Sequence, residues 1–274
     1  MSVVADRLRA LQLQSGRRAS PAATPIDVRP ELRRLLARRE RAPRQPLAAP
    51  AGSEIDHGLY LVESCWPAPA AAPITLPWND ALEVERERLV CFDTETTGLA
   101  GGVGTKAFMI GVAQWCDGVL RVRQYYLTAL AGEAAMLRMF TRLLPADAIF
   151  VSYNGRSYDA PLLKGRYRMH RQMHPFDQCG HVDLLYPVRR AYRGVWENCR
   201  LQTIERHLLG IVRHDDLPGS EAPAAWLSYL RGESSVNLAR VVEHNRQDLR
   251  TLAALLERFS QVAGAEAQLQ PGID

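Results

Sequence analysis

Strand-like runs that later alternate with helical segments constrain the fold of this chain most strongly. The first three runs are Arg88–Phe92, Ala107–Trp115 and Val119–Leu127. Asp117 and Gly118 lie between the last two runs, and this dipeptide is typical of a tight β-hairpin. The pattern predicts three strands that follow one another in a meander.

Beyond residue 130, apolar residues at helical spacing alternate with short apolar runs. The predicted helices are 133–144, 160–170, 201–209, 222–231 and 236–259, and the predicted strands are 148–153 and 181–185. Helices that alternate with strands cover the faces of a sheet. We therefore predict an α/β fold with a mixed β-sheet flanked by α-helices.

The front of the chain differs in composition from this body. The first 50 residues hold 11 arginines and 4 acidic residues, and ten of the 17 prolines lie in residues 21–77. Such a stretch is typical of a flexible basic arm. Within it, residues 3–13 and 30–41 have helical spacing, and residues 58–64 resemble a strand that adds to a sheet edge.

These shifts in composition divide the chain into three predicted parts. They are a basic, Pro/Ala-rich arm over residues 1–85, an α/β domain over residues 86–262 and a C-terminal tail over residues 263–274. A flexible arm of this kind most often tethers a domain, so we expect a protein partner for it.

Several protein classes are excluded by the sequence. No uninterrupted run reaches the ~18 apolar residues that a membrane-spanning helix needs. Asp6, Arg7 and Arg9 lie where a secretion signal requires apolar residues. The five cysteines are scattered and form no CxxC pair, which suits a reducing compartment. We expect a cytoplasmic protein with no membrane association.

Acidic residues follow two of the predicted strands and lie in the last predicted helix. Asp93 and Glu95 end the first strand, and because side chains alternate along a strand, both point to one face. Asp159 lies in the polar turn after a later strand. His244 and Asp248 are four residues apart in the last helix and share one of its faces.

Carboxylates crowded at the end of an apolar strand repel one another unless protons or a cation neutralise them. Oxygen ligands of this kind suit Mg²⁺ or Mn²⁺. Each acid alone also has an ordinary explanation, as a solvated strand end, a helix N-terminal charge or a surface i,i+4 pair. Their joint occurrence favours one shared acidic site.

Three motifs resemble those of the DEDD exonucleases, a group with a ribonuclease H-like fold that includes proofreading 3′–5′ exonucleases. The motifs are Phe92-Asp93-x-Glu95-Thr96-Thr97-Gly98, Asn154-Gly155-x-x-Tyr158-Asp159 and His244-x-x-x-Asp248. From Trp196 onward the chain is more specifically similar to the YprB-type ribonuclease H-like branch. Its marks are Cys199-Arg200-Leu201-Gln202-Thr203-Ile204-Glu205, Asp216-Leu217-Pro218-Gly219 and His244-Asn245.

The resemblance implies a role for each matching acid and for the histidine. Asp93, Glu95, Asp159 and Asp248 would hold two Mg²⁺ or Mn²⁺ ions. His244 would act as the general base that takes a proton from the attacking water. One spacing departs from the family: the histidine form usually has four residues before the last aspartate, and this chain has three.

Seven further residues are expected to contact the nucleic acid. They are Thr96, Leu99, Lys106, Asn154, Tyr158, Lys164 and Arg168. The resemblance implies that Thr96 and Leu99 meet the 3′-terminal nucleotide. Basic residues mixed with aromatic residues suit a single strand, and they follow the second motif and recur in residues 189–196.

Three other patterns compete with this interpretation. Residues 98–106 resemble a phosphate-binding loop but lack the required Gly-Lys-Ser/Thr order. Histidines and a cysteine between residues 170 and 181 are zinc-ligand types, but Pro175 breaks the helix that would align them. We interpret Asp183, a further acid, as structural.

We therefore predict a two-metal nuclease that hydrolyses phosphodiester bonds of single-stranded DNA or RNA as a 3′–5′ exonuclease. Two alternatives stay open: a structure-selective endonuclease on the same fold, and a nucleic-acid-binding module that has lost catalysis. Retention of all four acids argues against that loss, because clustered carboxylates without a cation cost folding free energy.

Overall fold

The computed structural model describes residues 52–68, 72–79, 82–98 and 104–269. These residues fall within one folded unit, residues 46–274. The predicted helices at 3–13 and 30–41 and the predicted contact residue Leu99 lie outside the described residues.

A seven-stranded sheet forms the centre of the fold, and β3 and β4 pair in a second, two-stranded sheet. The strands are β1 (Ser53–Asp56), β2 (Leu59–Pro67), β3 (Ile74–Leu76), β4 (Leu82–Val84), β5 (Leu89–Thr96), β6 (Ala107–Cys116), β7 (Val119–Leu127), β8 (Ile149–Ser152) and β9 (Gly180–Asp183). The α-helices are α1 (Glu133–Arg142), α2 (Asp159–Met169), α3 (Leu185–Tyr192), α4 (Leu201–Ile204), α5 (Ala222–Leu230) and α6 (Val236–Leu269). The large sheet has the order β1-β2-β7-β6-β5-β8-β9.

The meander predicted from the sequence is confirmed. β5, β6 and β7 pair antiparallel in sequence order. The turn between β6 and β7 has Asp117 at φ 51° and Gly118 at φ 73°, which is the left-handed pair that a two-residue hairpin needs. A hydrogen bond from the Thr97 N–H to the Lys106 carbonyl closes the connection between β5 and β6. This connection leads into a strand, as the sequence predicted, and not into a phosphate-binding helix.

The sheet is mixed because β8 and β9 continue it in parallel on the other side of β5. The helix α2 supplies the crossover that the parallel strands β8 and β9 require. The prediction of a mixed sheet flanked by helices is confirmed.

Apolar side chains cover both faces of β5, which allows this strand to lie inside the sheet. Phe92 faces one core and contacts Phe150 of β8, with 5.2 Å between ring centroids. Cys91 faces the other core, which contains Leu249 of α6. Since Asp93 lies two residues beyond Cys91, its side chain projects toward α6.

The large sheet begins before the domain boundary predicted at residues 85 and 86. β2 pairs with β7 from Leu59 opposite Leu127 to Pro67 opposite Val119, and β1 pairs with β2 at the edge. The strand expected near residues 58–64 is therefore present. The prolines of this region weaken the strand pattern in the sequence, although Leu59 and Val62 are buried in the core.

The last helix also crosses a predicted boundary. α6 continues to Leu269, beyond the predicted end of the domain at residue 262. Alanine is frequent after Val262, and alanine is the strongest helix former. Among the residues that the structure describes, no helix combines the length and the apolar character that crossing a membrane demands.

Candidate active site

Asp93 and Glu95 lie at the end of β5, opposite Gly111 and Met109 of β6. Their side chains share the face of the sheet on which α6 packs. Glu95 is buried, with 6% of its surface exposed, and Asp93 is partly buried. The strand therefore carries two adjacent carboxyl groups into the space between the sheet and α6.

An asparagine of α6 orients Asp93. Nδ2 of Asn245 donates a hydrogen bond to Oδ2 of Asp93 at 2.8 Å, and its Oδ1 accepts one from Nε2 of Gln124 at 2.9 Å. Gln124 lies in β7 and also donates to the Val242 carbonyl at 2.7 Å. Asn245 and Gln124 are fully buried. The position of Asp93 is thus coupled to α6 and to β7.

Asp159 is the first residue of α2, and the turn before it is held by β9. Asn154 in this turn has φ 66°. Asp183 accepts hydrogen bonds from the backbone N–H groups of Asn154 at 2.7 Å and Arg156 at 3.1 Å. The hydroxyl of Thr94 in β5 donates to the Asp159 carboxylate. Asp183 therefore has the structural role expected of it, and Asp159 is directed toward β5.

Arg213 connects Asp248 of α6 to two further acids. Its Nη2 donates to Oδ1 of Asp248. Nε and Nη2 hold both oxygens of Glu205 at 2.6 and 2.7 Å, and Nη1 lies 3.2 Å from Oδ2 of Asp216. Glu205 is fully buried. One guanidinium thus compensates the charge of three carboxylates.

His244 lies beside Asp248 on the same face of α6, as its spacing predicted. Its Nδ1 is 2.7 Å from Oδ1 of Asp216, and its Nε2 is 3.5 Å from Oδ2 of Asp248. When Nδ1–H donates a hydrogen bond to Asp216, Nε2 keeps its lone pair and faces Asp248. Asp216 therefore sets the tautomer in which His244 can accept a proton.

Four carboxyl groups form the acidic cluster of this site: Asp93, Glu95, Asp159 and Asp248. Burial raises the pKa of each of them. At Asp93, the charges of Asp248 and Asp159 raise the pKa further. At Glu95, Asp93 is the largest additional cause. Burial raises the pKa of Asp159 to about 6 against the hydrogen bond from Thr94. At Asp248, burial outweighs the opposing effect of the nearby cations on the pKa. The positive charge near the four carboxylates is therefore too small to balance their negative charge.

The donor chemistry of the cluster fits a hard divalent cation such as Mg²⁺ or Mn²⁺, because all four groups are carboxylates. Within the described residues, however, no group of three or more His, Cys, Asp or Glu side chains is already arranged to hold a metal ion. Three of the four acids are occupied separately: Asp93 by Asn245, Asp159 by Thr94, and Asp248 by Arg213. Binding of an ion would require these carboxylates to turn toward one another.

The histidines between residues 170 and 181 do not meet. His170 lies 3.0 Å from Glu133, His174 lies 3.5 Å from Asp177, and His181 shares a hydrogen bond with the hydroxyl of Ser152 at 2.8 Å. Each histidine has a different partner.

Two of the cations predicted to contact nucleic acid form ion pairs within the chain. Nζ of Lys106 lies 3.5 Å from Glu133, a buried acid. Nζ of Lys164 lies 2.6 Å from Asp177. These pairs direct both ammonium groups toward acids of the chain, and their contact with a nucleic acid stays a prediction.

The other described members of the predicted contact set lie at the ends of elements. Thr96 ends β5 and donates from its hydroxyl to the Gly98 carbonyl at 3.0 Å. Asn154 and Tyr158 lie in the turn before α2, and 58% of the surface of Tyr158 is exposed. Arg168 is exposed in the last turn of α2. Their contact with a nucleic acid also stays a prediction.

Four residues that organise the site were not among the predicted site residues. Asn245 and Asp216 lie within the motifs of the resemblance, which was the available signal. Gln124 lies in a strand, and Arg213 lies in the segment between α4 and α5. Nothing near either residue in the sequence marks its partner, which is 121 residues away for Gln124 and 35 for Arg213.

Comparison with known proteins agrees with this arrangement. A family profile described as RNase_H superfamily matches residues 90–260. The chain is 33% identical over 214 residues to the uncharacterized protein YprB of Bacillus subtilis (strain 168), and the match covers 75% of this chain and 50% of YprB. The chain thus spans half the length of this curated relative.

A solved structure with a similar fold is the family B DNA polymerase from the hyperthermophilic archaeon Pyrobaculum calidifontis. The TM-score is 0.50 at 15% identity, over 92% of this chain and 34% of the polymerase. At this identity the likeness concerns the fold.

The family match begins in β5 and ends in α6, so it includes the four carboxylates, His244 and the sheet that positions them. By this match and by its identity to YprB, the chain belongs to the RNase H superfamily as a YprB-type member.

Proposed function

We propose that this chain is a nuclease that depends on two divalent metal ions and removes nucleotides from the 3′ end of single-stranded DNA or RNA. The convergence of Asp93, Glu95, Asp159 and Asp248 from β5, α2 and α6 carries this proposal. Burial and mutual repulsion raise the pKa values of these carboxyl groups, so the cluster favours added positive charge. Membership of the RNase H superfamily supports nuclease chemistry.

The chain's own residues divide the work. The four carboxylates would hold two Mg²⁺ or Mn²⁺ ions, which when bound activate a water and neutralise charge on the phosphate. Nε2 of His244 accepts the proton of the attacking water. Asp216 accepts the Nδ1–H hydrogen bond and stabilises the positive charge that His244 gains. Asn245 keeps Asp93 turned toward the site.

The cysteines support a reducing location. All five are free thiols, and disulfides persist in oxidising compartments. The proposal therefore places the nuclease in the cytoplasm, with the residues that precede β1 as an arm that recruits a protein partner.

Cleavage of end-labelled DNA and RNA, single-stranded and duplex, tests the proposal. Each substrate is incubated with Mg²⁺, Mn²⁺ or EDTA, and Asp93→Asn is compared with Asp147→Asn. Asp147 is a matched control because it is exposed and lies away from the cluster in a surface ion pair with Arg88. We expect 5′-labelled single strands to shorten stepwise from the 3′ end in the parent and in Asp147→Asn, with Mg²⁺ or Mn²⁺. Asp93→Asn should be inactive.

A circular single strand separates the alternatives, because it has no 3′ end. Cleavage of the circle would show that the chain is an endonuclease on the same fold and not an exonuclease. Binding of single strands without cleavage of any substrate would contradict catalysis and leave a binding module. Cleavage that persists in EDTA or in Asp93→Asn would contradict the metal site.

A further inference from the structure

A basic groove opens beside the acidic cluster, and none of its side chains is used by the proposed chemistry. It encloses about 710 Å³ and runs between the end of β8, the start of α3 and the segment that leads into α4. Its lining includes Arg189, Arg193 and Arg200, which are all exposed. Among the described residues these three guanidinium groups have no acidic partner within ion-pair distance. They are therefore available to a ligand with negative charge.

A stack of three rings supports one wall of this groove, and Trp196 is the member of the stack that lines it. Trp196 lies parallel to Tyr192, with 4.3 Å between centroids and 14° between planes, and parallel to His207 at 4.9 Å and 10°. Gly194, at φ 82°, turns the chain between Tyr192 and Trp196. The stack holds the arginine-bearing loop in place and presents Trp196 to the groove.

Among the described residues, the one acid that lines the groove is already compensated. Glu197 forms an ion pair with Arg206, and Nε2 of His207 lies 3.4 Å from the Glu197 carboxylate. The remaining lining includes the apolar side chains of Leu185 and Leu201. The groove thus combines uncompensated positive charge with an apolar surface.

Both walls of the groove lead to the acidic cluster. Asn154 lines the groove, and a Cβ built on the next residue, Gly155, would lie 3.1 Å from Oδ2 of Asp159. On the other wall, Leu201 begins the helical segment that continues to Glu205, which is held by Arg213 of the cluster. A chain lying in the groove would reach the carboxylates at its end.

We propose that this groove binds the single-stranded part of the nucleic acid that leads to the cleaved bond, an inference that rests on the proposed nuclease function. Arg189, Arg193 and Arg200 contact successive phosphates, and unpaired bases lie against the partly exposed edge of Trp196 and against Leu201. Phosphate contacts by arginine suit its planar fork. Exposed bases are required, because a duplex keeps its base faces stacked and covered.

Binding measured without cleavage tests the groove separately from catalysis. Fluorescence anisotropy is recorded in EDTA with a labelled single strand of about 12 nucleotides, as DNA and as RNA, and with the matching duplex. The variants are Arg193→Gln/Arg200→Gln and Arg142→Gln. Arg142 is a matched control because it is exposed at the end of α1 and does not line the groove.

The salt dependence identifies phosphate contacts. The slope of log Kd against log salt should fall by ~0.7 for each arginine removed, so by ~1.4 in the double variant, and affinity should fall about tenfold at low salt. Arg142→Gln should keep the parent slope and Kd. An unchanged slope in the double variant, or an equal change in Arg142→Gln, overturns the proposal. So does equal affinity for the duplex.

Trp196 provides a second variant with a different signature. Trp196→Ala should weaken binding of the single strand at least about fivefold and leave the salt slope unchanged, while Trp196→Phe should restore most of the affinity. Circular dichroism confirms that the variants are folded. Parent affinity in folded Trp196→Ala contradicts the aromatic contact. If these binding results hold but no substrate is cleaved, the nuclease proposal alone fails.

Discussion

Gly111 of β6 lies directly beneath Asn245 of α6, and a Cβ built on Gly111 would be 2.1 Å from Oδ1 of Asn245. No side chain other than hydrogen fits this separation. Gly111 is also paired with Asp93 on one side and with Gln124 on the other. Because Gly111 has no side chain, the buried amide of Asn245 can lie between Asp93 and Gln124, with which it forms hydrogen bonds.

Gly111→Ala should therefore separate α6 from the sheet. The new methyl group would meet Asn245 and also Cδ1 of Leu249 at 2.6 Å. We expect a loss of about 1–3 kcal/mol in the free energy of unfolding, measured in urea, together with reduced nuclease activity. Gly165→Ala in α2 is the control, since nothing lies within 4 Å of its Cβ position. Equal stability of both variants would contradict the contact.

Asn245→Ala should weaken both the fold and the site. It leaves Gln124 without the acceptor on Asn245 and Asp93 without its donor inside the protein. Unpaired buried polar groups cost about 1–3 kcal/mol of stability, and a freed Asp93 should lower metal affinity, measured by Mn²⁺ titration. Asn237→Ala, on an exposed position of the same helix, should change neither quantity. Parent Mn²⁺ affinity in folded Asn245→Ala would refute the orienting role.

Arg213→Gln should destabilise the metal-free protein strongly. Removing this cation leaves Glu205 buried without its charge partner, at a cost of about 3–5 kcal/mol. Added Mg²⁺ should raise the thermal midpoint of this variant more than that of the parent, because the cluster has lost a competing cation at Asp248. Arg206→Gln removes an exposed ion pair and should cost less than about 1 kcal/mol. A small loss in Arg213→Gln, like that of the control, would show that Arg213 is not the cluster's counter-ion.

The raised pKa of Asp159 predicts a pH dependence of stability in EDTA. Because the folded protein binds this proton more tightly than the unfolded chain does, stability should fall as pH rises from about 4 to about 6. Asp159→Asn should reduce this decline, to which Asp93, Glu95 and Asp248 also contribute, and stabilise the metal-free protein at pH 7 by up to about 3 kcal/mol. The decline in stability is measured as the thermal midpoint of unfolding between pH 4 and pH 8, with Asp147→Asn as the control. A parent-like decline in Asp159→Asn would assign the effect to other groups.

The His244–Asp216 pair should matter for rate more than for binding of metal or nucleic acid. His244→Ala should lower kcat by about 100-fold to 10,000-fold, and Asp216→Asn should also lower it, because the tautomer is no longer set. KM and Mn²⁺ affinity should stay near the parent values. Asp215→Asn is the neighbouring exposed control. Parent kcat in His244→Ala would remove His244 from the proton transfer.

Local periodicity explains which parts of the site the sequence could predict. The common face of Asp93 and Glu95 follows from alternation along one strand, and that of His244 and Asp248 from one helical turn. Both rules act within a few residues. The meander was predictable for the same reason, because Asp117 and Gly118 determine the turn locally.

The parts that escaped prediction depend on contacts between distant segments. Gln124 resembles any polar residue of a strand until α6 packs over β7, and Gly111 resembles a weak strand position until Asn245 lies above it. Arg213 lies in a segment without regular periodicity. The first two strands were hidden in part by a proline-rich composition, and the buried residues Leu59 and Val62 are three positions apart and so do not show the alternation of a strand.

The contact between Asn245 and Asp93 joins residues that are 152 positions apart in the chain. During synthesis the strand that carries Asp93 leaves the ribosome long before the helix that carries Asn245 and Asp248, and domains fold as their residues emerge. The nascent sheet therefore holds two acidic side chains without their partners until translation has passed α6. Any nuclease activity of this chain consequently arises only after α6 has been synthesised, and every molecule released before that point lacks it.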